Sequence, residues 1–389
     1  MGTTTSEGTS PAAERYLRLQ MAAHVGPIIV ARLMRYFSGI EGVLSASVRE
    51  LARVEGVGPE RAEAIRRARD DPRVAEEIAR AADQGVRIIC LADPDYPASL
   101  KHITDPPICL YVQGHLEPAD AVSIAIVGSR RCSHYGCEQA RRFGSALAGV
   151  GFTIVSGLAR GIDGYAHEGA LAGGGRTLGV LGNGLARIYP PEHAALAERV
   201  AASGALLSEL PMDASPEGGN FPPRNRIIIG LCLGVIVVEA GRRSGALITA
   251  RLGSEYNREV FAVPGRVDSV TSVGTNAMIR DGQAKLVTCL EDALDELGDV
   301  GRIMQQSDAG ERNQAAEAPP QDDPPAHLNR QEQAVFEAIS EEATSADLIS
   351  RSCGLDAAKV ASVLTTLQMK ALVRQLPGDL YVRRPKRSR

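Results

Sequence analysis

Between about residues 120 and 295, short apolar runs alternate with longer amphipathic or small-residue segments, and that rhythm leaves little freedom of fold. The runs are 123–127 (SIAIV), 152–155 (FTIV), 177–181 (TLGVL), 205–207, 235–238 (VIVV) and 260–263. Between them lie 136–150, 161–172, 191–203, 224–233 and 244–257. A strand that is apolar at every position has no face to turn to water. Such strands, separated by helices, predict a parallel sheet covered on both sides: an α/β, extended Rossmann-like, doubly wound domain.

In a sheet of this kind, ligands bind at the carboxyl ends of the strands, and the distinctive residues gather there. Gly128-Ser129-Arg130-Arg131 follows the first run, and Ser156-Gly157-Leu158-Ala159-Arg160 follows the second. Gly182-Asn183-Gly184 follows the third and Pro264-Gly265 the last. The stretch 221–251 has two helix starts that both carry arginine: Pro222-Pro223-Arg224-Asn225-Arg226 and Gly241-Arg242-Arg243-Ser244-Gly245. A helix N-terminus already holds a partial positive charge, so arginines there are unfavourable by themselves. An anion between the two starts, phosphate above all, would account for them; the alternative is pairing with Asp or Glu elsewhere. Candidate phosphate-binding positions therefore lie on these strand-end loops and helix starts, with Arg130, Arg160, Arg224, Arg226, Arg242 and Arg243 supplying the charge. The first loop is not G-x-G-x-x-G, and no G-x-x-x-x-G-K-[ST] loop is present, so no nucleotide cofactor is expected. No metal site is expected either.

The formal charge is −4 with 43 Lys+Arg against 47 Asp+Glu, which rules out a protein coated in basic surface but leaves room for a local basic groove. Aromatic residues are 4% of the chain with no Trp, so few bases could be stacked, and Phe221 is the best candidate to do so. The seven cysteines are scattered without a C-x-x-C pair, which points to a reducing, cytoplasmic compartment. Residues 1–13 read as a disordered, polar start with no signal peptide, and no run is long and apolar enough to span a membrane.

Residues 14–80 read as a helical module. An apolar-x-Gly-x-Gly turn at 54–58 leads into a helix and resembles a helix–hairpin–helix motif; a partial second copy lies at 24–34. Residues 81–298 hold a short strand at 85–90, a proline-punctuated connector at 93–114 and the α/β domain, whose core is 120–295. A polar linker at 299–328 precedes a compact unit at 329–384, read as helices at 330–340, 345–353 and 356–370 and a hairpin turning at Pro377-Gly378-Asp379. That is the order of a winged helix, with Lys359 and Lys370 on its third helix and a basic tail at 385–389.

The runs AIVGSR, SGLARGIDGYAHEGAL, VLGNGLARIYP, FPPRNRIIIG, VIVVEAGRRSGALITA and REVFAVPG, in this order through 124–265, resemble the DNA-processing protein A (DprA/Smf) family. The resemblance extends to the flanking modules. It implies a bacterial single-stranded-DNA-binding recombination mediator that protects incoming strands in natural transformation. It further implies loading of the RecA recombinase, action beside single-strand-binding protein, and a homodimeric Rossmann-like domain without a cofactor. The resemblance places the family's binding residues on Gly128, Ser129 and Arg130, on Ser156, Gly157 and Arg160, and on Phe221, Arg224, Asn225, Arg226 and the Ser244-Gly245 turn. Some members place lysines around this pocket, whereas this chain uses arginine, which grips phosphate with a fork of donors.

Two other function classes compete. Related α/β proteins that cleave nucleoside monophosphates carry P-G-G-x-G-T-x-x-E, with the glutamate in the first turn of the helix. Here the loop from Gly241 to Thr249 has no acid in that turn, which removes general acid/base help. Asp163 and His167, at i and i+4, read as a capping Asp and a structural His. Glu209 and Glu239 are expected to hold Arg224 or Arg226, and no catalysis is read. The third class is a protein-interaction scaffold with a vestigial pocket.

Overall fold

The computed structural model describes residues 8–304, 328, 330–339, 344–370, 372–376 and 380–383. The first residues of the polar start, most of the linker, the Pro377–Asp379 turn and the basic tail lie outside the described residues. The chain divides into two units, at 1–314 and 315–389.

The first unit is built on a nine-stranded sheet. Its strands in chain order are β1 (Val86–Cys90), β2 (Cys109–Gly114), β3 (Ser123–Val127), β4 (Thr153–Ser156), β5 (Thr177–Val180), β6 (Ala205–Ser208), β7 (Gly234–Val237), β8 (Glu259–Ala262) and β9 (Lys285–Leu286). Their spatial order is β1-β2-β6-β5-β4-β3-β7-β8-β9. Pairing is parallel from β6 through to β9, with Ile124 opposite Ile154 on one side and Gly234 on the other. β1 and β2 extend the sheet antiparallel beyond β6. The last six residues of the expected connector are thus strand β2, whose first four positions are buried. Its proline-rich approach had masked a run that is apolar only as far as Val112.

Alternate residues of each strand feed two separate cores. Ile124, Ile126, Ile154 and Ile236 pack against helices His134–Gly149 and Ile162–Ala172. Ala125, Val127, Val155 and Val237 pack on the other face against Phe221–Leu231 and Ala246–Glu255. The first pair of helices approaches closely: a Cβ on Gly144 would lie 2.5 Å from the Ala166 carbonyl oxygen, and one on Gly169 would lie 2.3 Å from that of Arg141.

From β3 the chain steps outward through β4, β5 and β6, then returns to the other side of β3 and steps the opposite way through β7, β8 and β9. Loops leaving β3 and β7 therefore diverge, and the sheet has a crevice at its carboxyl edge between them.

The helical segment shares its core with this sheet: Leu17, Leu51 and Ile65 join one cluster with Ile88, Tyr111, Leu181 and Met212. Polar ties reinforce it. Gln20 donates to the Glu209 carbonyl at 2.8 Å and accepts from the Cys109 N–H at 2.7 Å. The buried Glu77 carboxylate accepts from the Met212 N–H at 2.6 Å. In the 54–58 turn Gly56 has φ +82°. Arg32 donates to the Glu55 carbonyl at 3.1 Å and Arg61 to that of Gly56, so both guanidinium groups brace the turn's own carbonyls.

The second unit has helices Arg330–Ala338, Ala346–Cys353 and Ala357–Met369 and the paired strands Val373–Leu376 and Leu380–Arg383. A two-residue strand, Thr344–Ser345, adds to the hairpin edge and completes a winged helix. Val335, Ile349, Val360, Leu364 and Leu367 form its core. The two lysines of the third helix are both paired: Lys370 Nζ lies 2.8 Å from the buried Glu332 carboxylate and Lys359 lies 3.0 Å from Asp356.

Replacing Glu77 by Ala leaves the buried Met212 N–H without an acceptor and should cost about 1–3 kcal/mol. Urea unfolding should show this as a lower midpoint with an unchanged slope.

Candidate nucleic-acid interface

The crevice between the β3 and β7 loops is a cleft of about 700 Å³. Its base is held shut by backbone. Ser129 donates its N–H to the Glu239 carbonyl at 2.8 Å, and Ile162 donates to the Ser129 carbonyl at 3.2 Å. Gly128 makes this closure possible, because a Cβ there would lie 2.5 Å from Ile162 Cγ1 and 2.9 Å from the Glu239 carbonyl oxygen. Gly161, at φ +76°, closes the second loop, where a Cβ would lie 2.3 Å from the Ser129 carbonyl oxygen.

Exposed cations stand on both walls: Arg130 and Arg131 on the β3 loop, Arg242 and Arg243 on the β7 loop. Among the described residues none of the four is held in an ion pair. Ser244 and Gly245 line the same wall, where Ser244 Oγ accepts from the Ala246 N–H at 3.3 Å at the start of helix Ala246–Glu255. Gly245 faces open space. Across the cleft, helix Phe221–Leu231 opens with Phe221, Pro222 and Pro223, the prolines sitting where the first-turn N–H groups have no partner in any case. Arg130 lies over the Phe221 ring, 4.9 Å from its centroid, and Tyr189 tilts against the same ring at 6.0 Å. Gly182 leaves room for that ring, since a Cβ there would come within 2.7 Å of it.

The helix start divides its polar residues. Asn225 is half-buried and lines the cleft. Arg224 turns inward and is 6% exposed; its guanidinium covers Gly157 and donates to the Val180 carbonyl. It faces Asp163, which accepts from the N–H groups of Gly157 at 3.1 Å and Ala159 at 3.4 Å. Burial pushes Arg224 down to about 10 against the pull of Asp163, so it remains a cation at neutral pH. Burial also raises Asp163, opposed chiefly by Arg224.

Some candidates stand elsewhere. Arg226 is sequestered between Asp105, at 3.0 Å from Nε, and Glu209, with both carboxylate oxygens 2.6 Å from Nη2. It anchors the helix to the antiparallel side of the sheet and does not line the cleft. Ser156 is fully buried and donates from Oγ to the Ile126 carbonyl at 2.6 Å, locking β4 to β3. Arg160 and Gly157 line a side recess with Tyr189 and Phe221, and there Arg160 is paired with Glu192. Of the two expected acidic partners, Glu209 does hold Arg226, but Glu239 holds no arginine. Its carboxylate accepts from the Ser133 N–H at 2.8 Å, Ser133 Oγ at 2.6 Å and Thr271 Oγ1 at 3.0 Å. It therefore sits over the N-terminus of helix His134–Gly149, where a dinucleotide's pyrophosphate would lie in a nucleotide-binding relative of the fold.

Asp163 and His167 each find a partner other than one another. His167 is fully buried, with Nδ1 2.6 Å from Thr177 Oγ1. Thr177 gives its own proton to the Ile154 carbonyl at 2.7 Å, so His167 is the donor in that pair and neutral. Burial, His193 and Arg224 hold it down to about 3. Arg131, Ala159, Tyr189 and Thr249 line the cleft without having been among the candidates. Tyr189 has no local pattern to mark it; only the fold brings it to Phe221. Among the described residues no cluster of His, Cys, Asp and Glu is arranged to hold a metal, and no helix is long and apolar enough to cross a membrane.

Two outcomes follow from these buried groups. Removing Arg226 strands two carboxylates, and Arg226→Ala should lower stability by about 3–5 kcal/mol in denaturant unfolding. His167 has an ordinary value of 6.5 and titrates near 3 when folded, so the unfolded chain binds the extra proton first. Stability should fall as pH drops from about 6.5 towards 3, and His167→Asn should flatten that part of the curve.

Comparison with known proteins accords with this arrangement. Residues 87–298 match the family model described as DNA recombination-mediator protein A, and residues 319–379 match the DprA winged helix domain. Protein Smf of Synechocystis is 36% identical over 382 residues, covering 92% of this chain and 96% of that one. Protein Smf of Escherichia coli is 42% identical over 289 residues, covering 74% and 75%. The X-ray structure of DNA processing protein A from Streptococcus pneumoniae superposes with a TM-score of 0.65 at 33% identity, covering 73% of this chain and 97% of that one. The chain belongs to the DNA recombination-mediator protein A (DprA/Smf) family.

Proposed function

We propose that this chain is a recombination mediator that binds single-stranded DNA in the cleft between the β3 and β7 loops. The observation that carries the reading is the convergence there of Arg130, Arg131, Arg242 and Arg243, exposed cations facing one cleft on a chain of formal charge −4. Arginines on opposite walls suit the phosphates of a flexible strand, and the Phe221–Tyr189 pair offers one apolar surface for a base. With so little aromatic surface, affinity comes from the backbone and sequence preference is slight. Asn225, Ser244 and Gly245 complete the contact surface, and Arg224 supplies charge from the floor.

The same reading makes the cleft a holding site. Asp163 is the one carboxylate among its lining residues, and it is occupied by backbone N–H groups and by Arg224. Membership of a recombination-mediator family supports the wider role: protecting incoming strands in natural transformation and loading RecA in the cytoplasm, beside single-strand-binding protein and as a homodimer.

The test is fluorescence anisotropy with single- and double-stranded oligonucleotides over a salt series. Single strands should bind more tightly, with affinity falling as salt rises. Arg130→Ala with Arg243→Ala should weaken binding to every sequence alike and reduce the salt slope by about 1.4, at about 0.7 per lost phosphate contact. Equal or stronger binding of duplex, or full affinity in the double variant, overturns the assignment. Release of free adenine from nucleoside monophosphates would support the hydrolase alternative instead.

A further inference from the structure

We propose that Cys132 and Cys137 form a reversible, oxidation-sensitive thiol pair whose disulfide latches the loop carrying Arg130 and Arg131 to the helix that follows it. The inference goes beyond the reading of the cleft and does not depend on what the cleft holds. The two Sγ atoms lie 3.2 Å apart, in hydrogen-bond contact. Local structure puts them there. Ser133 caps helix His134–Gly149, its Oγ accepting from the Gly136 N–H at 3.1 Å. Cys132 is the residue before the cap and Cys137 the fourth of the helix. An apolar pair ordinarily fills these two positions and fixes the angle at which the chain enters the helix. Here thiols fill both, so the contact that sets the entry angle can become covalent. Disulfide sulfurs lie about 2.05 Å apart, so the pair has roughly 1.2 Å to close.

Both side chains are half-buried, so a small oxidant reaches them, whereas Cys90, Cys109 and Cys232 are buried in the cores. The oxidant class is a low-molecular-weight disulfide such as oxidised glutathione. Burial pushes the Cys132 thiol up to about 12, so Cys137 attacks first and Cys132 resolves. The Cys137 thiolate attacks one sulfur of the small disulfide, whose S–S bond breaks, and one glutathione leaves and takes up a proton. The Cys132 sulfur then gives up its proton and attacks the Cys137 sulfur, and the second glutathione leaves as a thiol. Two electrons pass from the protein's thiols to the small disulfide, and the two protons end on the two glutathiones. A dithiol reductant runs the sequence backwards. Arg131 precedes Cys132 directly, and its N–H is tied to Ser129 Oγ at 3.1 Å. The latch therefore acts on one wall of the cleft.

The experiment equilibrates the full-length protein with mixtures of reduced and oxidised glutathione, traps free thiols and maps the peptides by mass. Cys132 and Cys137 should convert together to a disulfide that retains no glutathione and is reversed by dithiothreitol. Cys132→Ser should instead accumulate a glutathione adduct on Cys137, and Cys137→Ser should leave Cys132 unmodified. Folded protein should form the bond in a mixture about tenfold more reducing than the same chain needs in urea, because the fold already holds the sulfurs together. Hydrogen exchange of the N–H groups at 130–134 should slow in the disulfide form. A glutathione adduct that persists on the wild-type pair, a bond that forms no more readily in the folded chain than in urea, or unchanged exchange after oxidation overturns the latch.

Discussion

The buried carboxylate of Glu239 governs what the crevice can be. It takes three donors, two from Ser133 and one from Thr271, and lies at the head of the helix that follows β3. In a nucleotide-binding sheet that helix end is left open to a pyrophosphate, whose charge the helix favours. Here the protein supplies its own anion, and Gly136 is small to admit it: a Cβ there would lie 2.5 Å from Glu239 Oε2. With that position filled, the exposed positive charge at the sheet edge lies further out, on the arginines of the loops. Among the described residues those arginines have no carboxylate in an ion pair with them, since Glu239 is committed to the helix and Asp163 to the second loop.

Arginine plays two parts in this chain, and burial separates them. Arg224, Arg226 and Arg176 are structural. Arg176, for example, gathers Asp120, Glu117 and the carbonyls of His115 and Ser203 where β5 begins. Arg130, Arg131, Arg242 and Arg243 stand on short loops with their charge turned to solvent. Desolvation explains the division. An arginine under cover must be met by carbonyls or carboxylates, as Arg224 is by Val180 and Asp163, and then has few donors left for a ligand. An exposed one keeps its whole fork available.

Much of this was legible in the chain before folding. The alternation of apolar runs with helical segments located β3 to β8 to within about one residue at each end, and the glycine-rich turns marked the strand ends at which the cleft forms. What could not be read was direction. Arg224 and Arg226 belong to a helix buried on nearly all sides, so periodicity offered no exposed face from which to infer which was free. Ser156 lies at a strand end like its neighbours, yet the pleat points it into the sheet. β2 escaped notice because prolines precede it, and the Tyr189–Phe221 contact because no sequence pattern joins residues brought together by the fold. Charges that look available in a string of letters are often already matched in three dimensions.

The place of β3 beside β7 has a consequence for assembly of the molecule. The two walls of the cleft come from strands that are neighbours in space but separated in the chain by three other strands and their helices. No contiguous fragment short of that whole span can present both walls, so the four exposed arginines face one cleft only when the sheet closes across its centre. A ligand lying over both loops bridges the two halves at their seam and binds the closed state in preference to any open one. Occupancy of both loops at once would act as a clamp on the sheet itself, tying its stability to whatever lies across the seam.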